Sequence, residues 1–220
     1  RPRPHSRIIR NYQFGVAADR YVSSATGQLQ TDSRSLSAGL AFQNGSSLTV
    51  TGLDTFDRLV VPFRLASGVT IAPGDYRYAN ATVAYGSDQS RRVSGSATVT
   101  TGEFWDGRST TQSGTLNLRP DYHFSLALTL NHNVIHLPQA DYTTTLVGTR
   151  VVYGFTPRMF LYSFLQYNAA THQFSANTRF HIIHRPLSDL FVVYNERRDT
   201  LGSALLERSV IVKFTNLFDF

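Results

Sequence analysis

The sequence predicts an all-β fold: an antiparallel transmembrane β-barrel of about 12 strands, either complete or the C-terminal part of a larger barrel. Three observations predict this fold class. Apolar and polar residues alternate along much of the chain with the two-residue period of a strand. Short and long connections alternate between the predicted strands. The last segment is an aromatic strand that runs to Phe220.

The composition favours a membrane barrel over a soluble domain. Charged residues make up 16% of the 220 residues, below the roughly 25% that is usual for soluble domains. No apolar run reaches the roughly 20 residues that a membrane helix needs. The chain has no cysteine, which excludes disulfides and thiolate metal sites. The net charge is +6, but the basic residues are scattered singly, so no nucleic-acid partner is predicted.

Two regions are predicted along the chain. Residues 1–10 start with Arg1-Pro2-Arg3-Pro4 and show neither a methionine nor a signal-like apolar segment. They are predicted to be an N-terminal periplasmic extension or linker, in a chain that is processed or is a piece of something longer. Residues 11–220 are predicted to form the barrel.

The predicted strands follow one another along the whole second region. Their apolar faces are expected to meet lipid, and the opposite faces, rich in Ser, Thr, Asn and Gly, are expected to line the lumen. For the late strands at 160–167, 174–182 and 190–195 the inward face is left open, because both faces are rather apolar. The remaining predicted strands lie near 12–16, 35–43, 48–52, 79–85, 93–99, 114–118, 124–131, 147–153 and 210–220.

The connections predict an orientation in the membrane. Bacterial barrels have short periplasmic turns and long external loops, so every short turn and both termini are expected in the periplasm. The predicted short turns lie at 44–45, 87–90, 120–122, 156–158 and 186–189. The predicted long links lie at 20–29, 58–75, 103–109, 132–140, 168–173 and 198–206.

The final strand contains a predicted assembly signal formed by Phe214, Phe218 and Phe220. An exposed aromatic strand is an aggregation hazard in a soluble protein, although an ordinary sandwich strand remains the alternative. A closing aromatic strand resembles the signal that the barrel assembly machinery reads. This predicts the bacterial outer membrane as the location, with the lipid bilayer and that machinery as partners.

Several motifs from about Gln43 onward carry a family resemblance. This part of the chain resembles the C-terminal outer-membrane barrel of a large bacterial family of unassigned function. Members of that family carry an N-terminal domain like carbohydrate-binding module family nine, which has no counterpart in these 220 residues. The resemblance therefore implies a barrel but no sugar-binding role, and it supplies no catalytic residues. The motifs are Gly74-Asp75-Tyr76, Ser87-Asp88-Gln89-Ser90, Gly102-Glu103-Phe104-Trp105-Asp106-Gly107, Phe164-Leu165-Gln166-Tyr167-Asn168 and, the most specific, the stretch from Asp189 to Thr200.

Five basic residues are predicted to line the pore: Arg92, Arg119, Arg150, Arg179 and Lys213. Small polar residues on the same faces favour a narrow water-filled lumen, since about 12 strands lie between filled and open barrels. Fixed positive charge in such a lumen favours anions. The predicted function is therefore a passive pore for small solutes. The alternative is a non-conducting scaffold or binding subunit of an envelope complex, with the arginines paired or plugging the barrel.

The link at 58–75 is too apolar for a freely solvated loop, because it contains Val60, Val61 and Phe63. Exposed apolar segments of this kind usually mark a contact surface. We expect it either to constrict the barrel mouth or to dock on a partner, such as another envelope protein.

No catalytic residue, metal ligand or cofactor is predicted. His181 shares a strand with Ser175 and Asn177, but these lie about 20 and 13 Å away along it. An outer-membrane hydrolase is therefore the weakest of the three functional hypotheses. His132 and His136, near Asp141, have the chemistry of a divalent-cation site. Two loop histidines are more often merely solvated, so no metal site is predicted.

Overall fold

The computed structural model describes residues 4–66 and 69–217. Fourteen β-strands are present in them, and none of these residues forms a helix long and apolar enough to cross a membrane. The strands are β1 (Ile9–Val22), β2 (Leu29–Phe42), β3 (Ser47–Leu59), β4 (Phe63–Ala66), β5 (Val69–Ile71), β6 (Gly74–Gly86), β7 (Val93–Phe104), β8 (Gly107–Leu118), β9 (Phe124–His136), β10 (Asp141–Thr156), β11 (Met159–Asn168), β12 (Gln173–Arg185), β13 (Ser188–Asp199) and β14 (Leu205–Thr215).

Twelve strands form one antiparallel sheet in the order β1-β2-β3-β6-β7-β8-β9-β10-β11-β12-β13-β14. These are the strands that the alternation of residues predicts, so the all-β prediction is confirmed. The other two strands, β4 and β5, pair with each other as a separate hairpin inside the link between β3 and β6. Among the described residues β1 and β14 each have one neighbour, and the sheet is not closed.

The chain divides into two compact units. Unit 1 consists of Arg1–Asp88, Ser96–Ser113 and His132–Thr143. Unit 2 consists of Gln89–Gly95, Gly114–Asn131 and Thr144–Phe220. Strand β1 begins at Ile9, so it includes the end of the segment predicted as an extension.

The register of unit 1 brings like residues together on each face of the sheet. One row across β1, β2, β3, β6 and β7 is polar or small, and the row beside it is apolar. Because neighbouring residues of a strand point to opposite faces, one face is polar and the other apolar, as predicted. The polar row is Gln13, Gly39, Thr49, Ala84 and Thr98, and the apolar row is Phe14, Ala38, Val50, Val83 and Val99.

The apolar face is the more exposed of the two. In unit 1, Phe14 and Val16 are 73% and 82% exposed, whereas Thr55 on the polar face is buried. In unit 2, Val210 and Val212 on the apolar face of β14 are also well exposed. A soluble protein shows the opposite distribution, because large apolar side chains are the ones that water drives inside.

All six predicted long links are shorter than predicted, and the strict alternation with short turns fails at 105–106 and 137–140, which are both shorter than the turn at 119–123. Strands extend further than predicted on the side assigned to long loops, because pairing continues through polar residues such as Arg20 and Asp32. The alternation on which the predicted membrane orientation was based is therefore only partly present, and the orientation stays a prediction. The links on that side are 23–28, 60–73, 105–106, 137–140, 169–172 and 200–204. Those on the other side are 43–46, 87–92, 119–123, 157–158 and 186–187.

The hairpin of β4 and β5 packs in a small hydrophobic core of unit 1. Ile71 is fully buried, and Val69 and Leu137 are buried beside it. Among the described residues, these three and Ala41 are the only buried hydrophobic side chains. Within the link 60–73, strands β4 and β5 therefore form a folded element of their own. Partly buried residues around this core are Leu59, Leu65, Tyr76, Phe104, Trp105, Ile135 and Ala140.

Trp105 fixes the turn between β7 and β8 to this hairpin. Its φ of 57° lies in the left-handed region, which residues other than glycine seldom occupy. The indole ring stacks on Phe63, with 5.6 Å between centroids, and lies 5.4 Å from the Tyr76 ring and 6.3 Å from the Tyr78 ring. These contacts hold the unusual backbone conformation in place.

Gly107 begins β8 close to the backbone at the end of β9, and we predict that Gly107→Ala destabilises the fold. An added Cβ would lie 2.0 Å from the carbonyl oxygen of His136, so the two strands would have to separate. We expect a loss of about 1–3 kcal/mol in the free energy of unfolding, measured by urea denaturation. Gly202→Ala is the control, because its Cβ would meet nothing within 4 Å. Equal midpoints for the two variants would contradict the prediction.

Candidate functional site

Two arginines on the polar face of unit 2 form the candidate site. Arg150 of β10 lies opposite Phe164 of β11, which lies opposite Asn177 of β12. Arg179 lies two residues beyond Asn177 and opposite Tyr162, on the same face. Adjacent strands are about 4.8 Å apart and alternate residues about 6.8 Å apart. Both arginines therefore extend over one patch of the sheet.

Each guanidinium group contacts an aromatic ring. The Arg150 Cζ lies 6.0 Å from the centroid of the Phe164 ring, and the Arg179 Cζ lies 5.1 Å from the centroid of the Tyr162 ring. These distances are within the range of cation–π attraction. Within residues 4–66 and 69–217 neither arginine has a hydrogen bond or an ion pair. Their N–H donors therefore remain available to an anion.

A hollow of about 360 Å³ opens over this patch, lined by Arg150, Val152, Tyr162, Phe164, Asn177 and Arg179. A second hollow of about 260 Å³ shares Phe164 and Asn177 with it. Asn177 donates its amide hydrogen to Asn195, which in turn donates to the Ser209 Oγ at 3.2 Å. The patch thus combines two free cations, aromatic rings and a chain of fixed amides. This chemistry suits a small anion.

The other predicted pore-lining residues lie in different places. Lys213 lies on the polar face of β14, opposite Phe191. Arg92 and Arg119 lie in the links 87–92 and 119–123, where the Arg119 N–H donates to the Arg92 carbonyl at 2.6 Å. Alternation located Arg150, Arg179 and Lys213 within strands, whereas Arg92 lies just before β7 and Arg119 just after β8.

The aromatic partners of the two arginines were not predicted from the sequence. Tyr162 and Phe164 belong to β11, whose two faces are both rich in apolar residues. Only the pairing with Arg150 and Arg179 shows that these rings share the polar face. The sequence holds one weak signal: Tyr162 and Phe164 are two residues apart, and this spacing places both rings on the same face of a strand.

The histidines considered for catalysis or metal binding have ordinary structural partners. The His181 Nε2 lies 2.9 Å from the Asp189 Oδ1, and its ring stacks on Phe191. Its cross-strand neighbours are Phe160 and Phe191, so no hydroxyl lies opposite the imidazole. The His136 Nδ1 lies 2.8 Å from the Asp141 Oδ1. In the part of the chain that the structure describes, no three His, Asp or Glu residues are grouped to hold a metal ion.

Of the predicted constriction or docking residues, Phe63 lies in β4 of the hairpin, and Val60 and Val61 lie in the segment just before it. Val60 and Val61 are well exposed. Phe63 stacks on Trp105, which also contacts Tyr76 and Tyr78 on the polar face of β6. Phe63 thus anchors the hairpin to Trp105, and the segment that leads into the hairpin exposes Val60 and Val61.

An ion pair closes the base of this link. Arg58 donates through Nε and Nη2 to the two carboxylate oxygens of Asp75, at 2.6 Å each. These hydrogen bonds lower the pKa of Asp75. Because the pKa is lowered in the folded chain, the pair stabilises the fold above the ordinary carboxyl pKa. That contribution is lost as the pH falls through the lowered value.

The predicted assembly signal is described only in part. Phe214 lies in β14 opposite Leu190, is exposed, and stacks on the His184 ring with 5.4 Å between centroids. Phe218 and Phe220 lie outside the described residues. The assembly role of all three therefore stays a prediction.

No protein-family model matches the chain, and the searches of curated proteins and of solved structures found no match either. The family resemblance of the motifs therefore stays a prediction. The distribution of side chains over the two faces does not depend on it.

Proposed function

We propose that this chain is a bacterial outer-membrane β-barrel that acts as a passive pore for small solutes and prefers anions. The observation that carries the proposal is the exposure of large apolar side chains on one face, opposite a polar face that is better shielded. In water each exposed Å² of apolar surface forgoes roughly 25 cal/mol of burial energy. In a bilayer the apolar face would contact the lipid acyl chains, and the polar face would surround the lumen.

The strand order supports closure of the sheet. A barrel requires β1 to pair with β14, and an even number of sequential antiparallel strands makes these two antiparallel. Strand β14 is exposed along nearly all its length and contains Val210, Val212 and Phe214. A long apolar edge of this kind is an aggregation hazard unless another strand covers it.

Arg150 and Arg179 support the anion preference. Neither guanidinium is neutralised by a carboxylate within the described residues, and both project over the face that would line the lumen. Positive charge held in a narrow, weakly screened passage lowers the energy of an anion there. Lys213 adds a further positive charge to the polar face of the same unit.

Conductance in a planar lipid bilayer tests the proposal. We expect the refolded chain to form channels whose reversal potential in a KCl gradient indicates chloride preference. Arg150→Gln combined with Arg179→Gln should move that potential toward the potassium value, because it removes the two unpaired lumen charges.

The charge-matched control is Arg198→Gln combined with Arg208→Gln, which removes two charges from the apolar face of β13 and β14. It should leave the selectivity unchanged. An inserted chain that conducts no current would refute the pore, and equal shifts in both double variants would refute the assignment of the lumen charges.

A non-conducting scaffold or binding subunit of an envelope complex is the second candidate function. It is favoured by one observation: Val60 and Val61, in the segment between β3 and the hairpin, are exposed apolar side chains. A closed barrel that co-purifies with another envelope protein, and loses it on Val60→Ser with Val61→Ser, would favour the scaffold.

A further inference from the structure

A group of charged residues, the first arginine cluster, lies on the apolar face of unit 1. Its members are Arg20, Asp32, Arg34, Asp54 and Arg77. The Asp32 Oδ2 accepts from the Arg20 Nη2 at 3.3 Å and from the Arg34 Nη2 at 2.8 Å. Arg77 donates to the two Asp54 oxygens through Nε at 3.2 Å and Nη2 at 2.8 Å. The cluster is therefore held in a fixed arrangement by its own carboxylates.

The cluster begins where the exposed apolar side chains on this face of unit 1 end. Val16 of β1 pairs with Leu36 of β2, and two pairs further along the same face Arg20 pairs with Asp32. One pair of strands thus passes from exposed apolar side chains to charged ones within about 14 Å. In a membrane protein this transition marks the level of the lipid headgroups.

The arginine side chains of the cluster are more exposed than its aspartates. Asp32 is 14% exposed and Asp54 40%, whereas Arg20, Arg34 and Arg77 are 61%, 60% and 71% exposed. The cluster has three arginines and two aspartates, which leaves one positive charge uncompensated. The surface that the cluster presents is therefore mostly guanidinium, with Asp54 as its one partly exposed carboxylate.

Unit 2 repeats this arrangement in a second arginine cluster, formed by Glu196, Arg198 and Arg208. Arg198 donates to one oxygen of Glu196, and Arg208 donates to the other at 3.0 and 3.1 Å. The Glu196 side chain is 10% exposed, and those of Arg198 and Arg208 are 46% and 47% exposed. On the same face the next apolar residue is Tyr194, whose hydroxyl donates to Glu196.

Exposed ion pairs contribute little to stability, so bracing alone is a weak reason for two such clusters. A guanidinium group has five N–H donors, and here each uses one or two of them on the shielded carboxylate. The remaining donors lie in the planar guanidinium fork, whose geometry matches a phosphate. Each cluster also carries one positive charge in excess, as attraction to an anionic headgroup requires.

We propose that both arginine clusters bind the phosphate groups of anionic lipids at the membrane interface. The apolar side chains beside each cluster would contact the acyl chains of the same lipid. This inference rests on the proposed insertion into a membrane, but not on conduction through the lumen.

Urea unfolding of the full chain from lipid vesicles tests this site. Three vesicle types are compared: phosphatidylcholine alone, phosphatidylcholine with phosphatidic acid, and phosphatidylcholine with oleic acid at the same surface charge. We expect phosphatidic acid to raise the urea midpoint of the wild type well above the value with oleic acid. Most of that gain should be lost in R198Q/R208Q and, independently, in R20Q/R34Q.

Arg197→Gln is the matched control, because Arg197 lies between the two cluster residues in sequence but faces the other side and pairs with Glu207. It should keep the gain. Equal gains in all variants, equal effects of oleic and phosphatidic acid, or an equal gain from inorganic phosphate would each overturn the proposal. A chain that inserts without any lipid dependence defeats only this inference. A chain that inserts into none of the vesicles defeats the proposed function as well.

Discussion

Replacing Leu128 with arginine is expected to lower the free energy of unfolding from lipid vesicles by about 2–4 kcal/mol, the cost of arginine near the bilayer midplane. Leu128 lies in β9 on the apolar face of unit 2 and is already partly exposed in the folded chain. In a soluble protein an exposed surface substitution typically changes stability by about 0.5 kcal/mol or less. The predicted effect therefore separates a lipid-facing surface from a water-facing one.

Thr98→Arg is the control on the opposite face, since Thr98 lies in the polar row of unit 1. A side chain in the lumen stays in contact with water, so this variant should lose far less stability. Val151→Arg provides a second outward position, on the apolar face of β10. If the apolar and polar positions tolerated arginine equally in vesicles, the membrane assignment would fail.

Strand alternation was sufficient to predict the main sheet. In unit 1 the polar row through Gln13 and Thr49 and the apolar row through Phe14 and Val50 follow directly from the two-residue period. Sequential antiparallel pairing then needs no long-range information, because each strand pairs with the next along the sheet. Arg150 was placed on the polar face for the same reason, whereas Arg179 lies in a strand whose inward face the alternation left open.

Features that depend on contacts between distant segments could not be predicted in this way. The predicted long links were too long because strand pairing continues through polar residues, as between Arg20 and Asp32. The site's ring contacts needed the register of β10, β11 and β12, which no local pattern in the sequence reveals. Likewise, the role of Trp105 depends on a hairpin that alternation did not detect.

Ile71→Ala is expected to release the hairpin of β4 and β5 from the polar face of unit 1. Ile71 is fully buried, and truncating such a side chain to alanine typically costs about 2–5 kcal/mol. The hairpin has few other buried contacts, so the loss should appear as local opening and not as global unfolding. Trypsin cleavage after Arg64, in β4, should become faster in Ile71→Ala but not in Val61→Ala, whose side chain is exposed.

Removing the hairpin decides between its two predicted roles. Leu59 and Gly74 are directly paired, so an Asn-Gly turn in place of residues 60–73 preserves β3 and β6. If the hairpin constricts the lumen, single-channel conductance rises in this variant and also in Ile71→Ala. If it is a docking element, conductance stays at the wild-type value and an envelope partner is lost instead. The anchoring of Phe63 on Trp105, above the polar face of unit 1, favours the rise in conductance. An unchanged conductance in both variants would rule out the constriction.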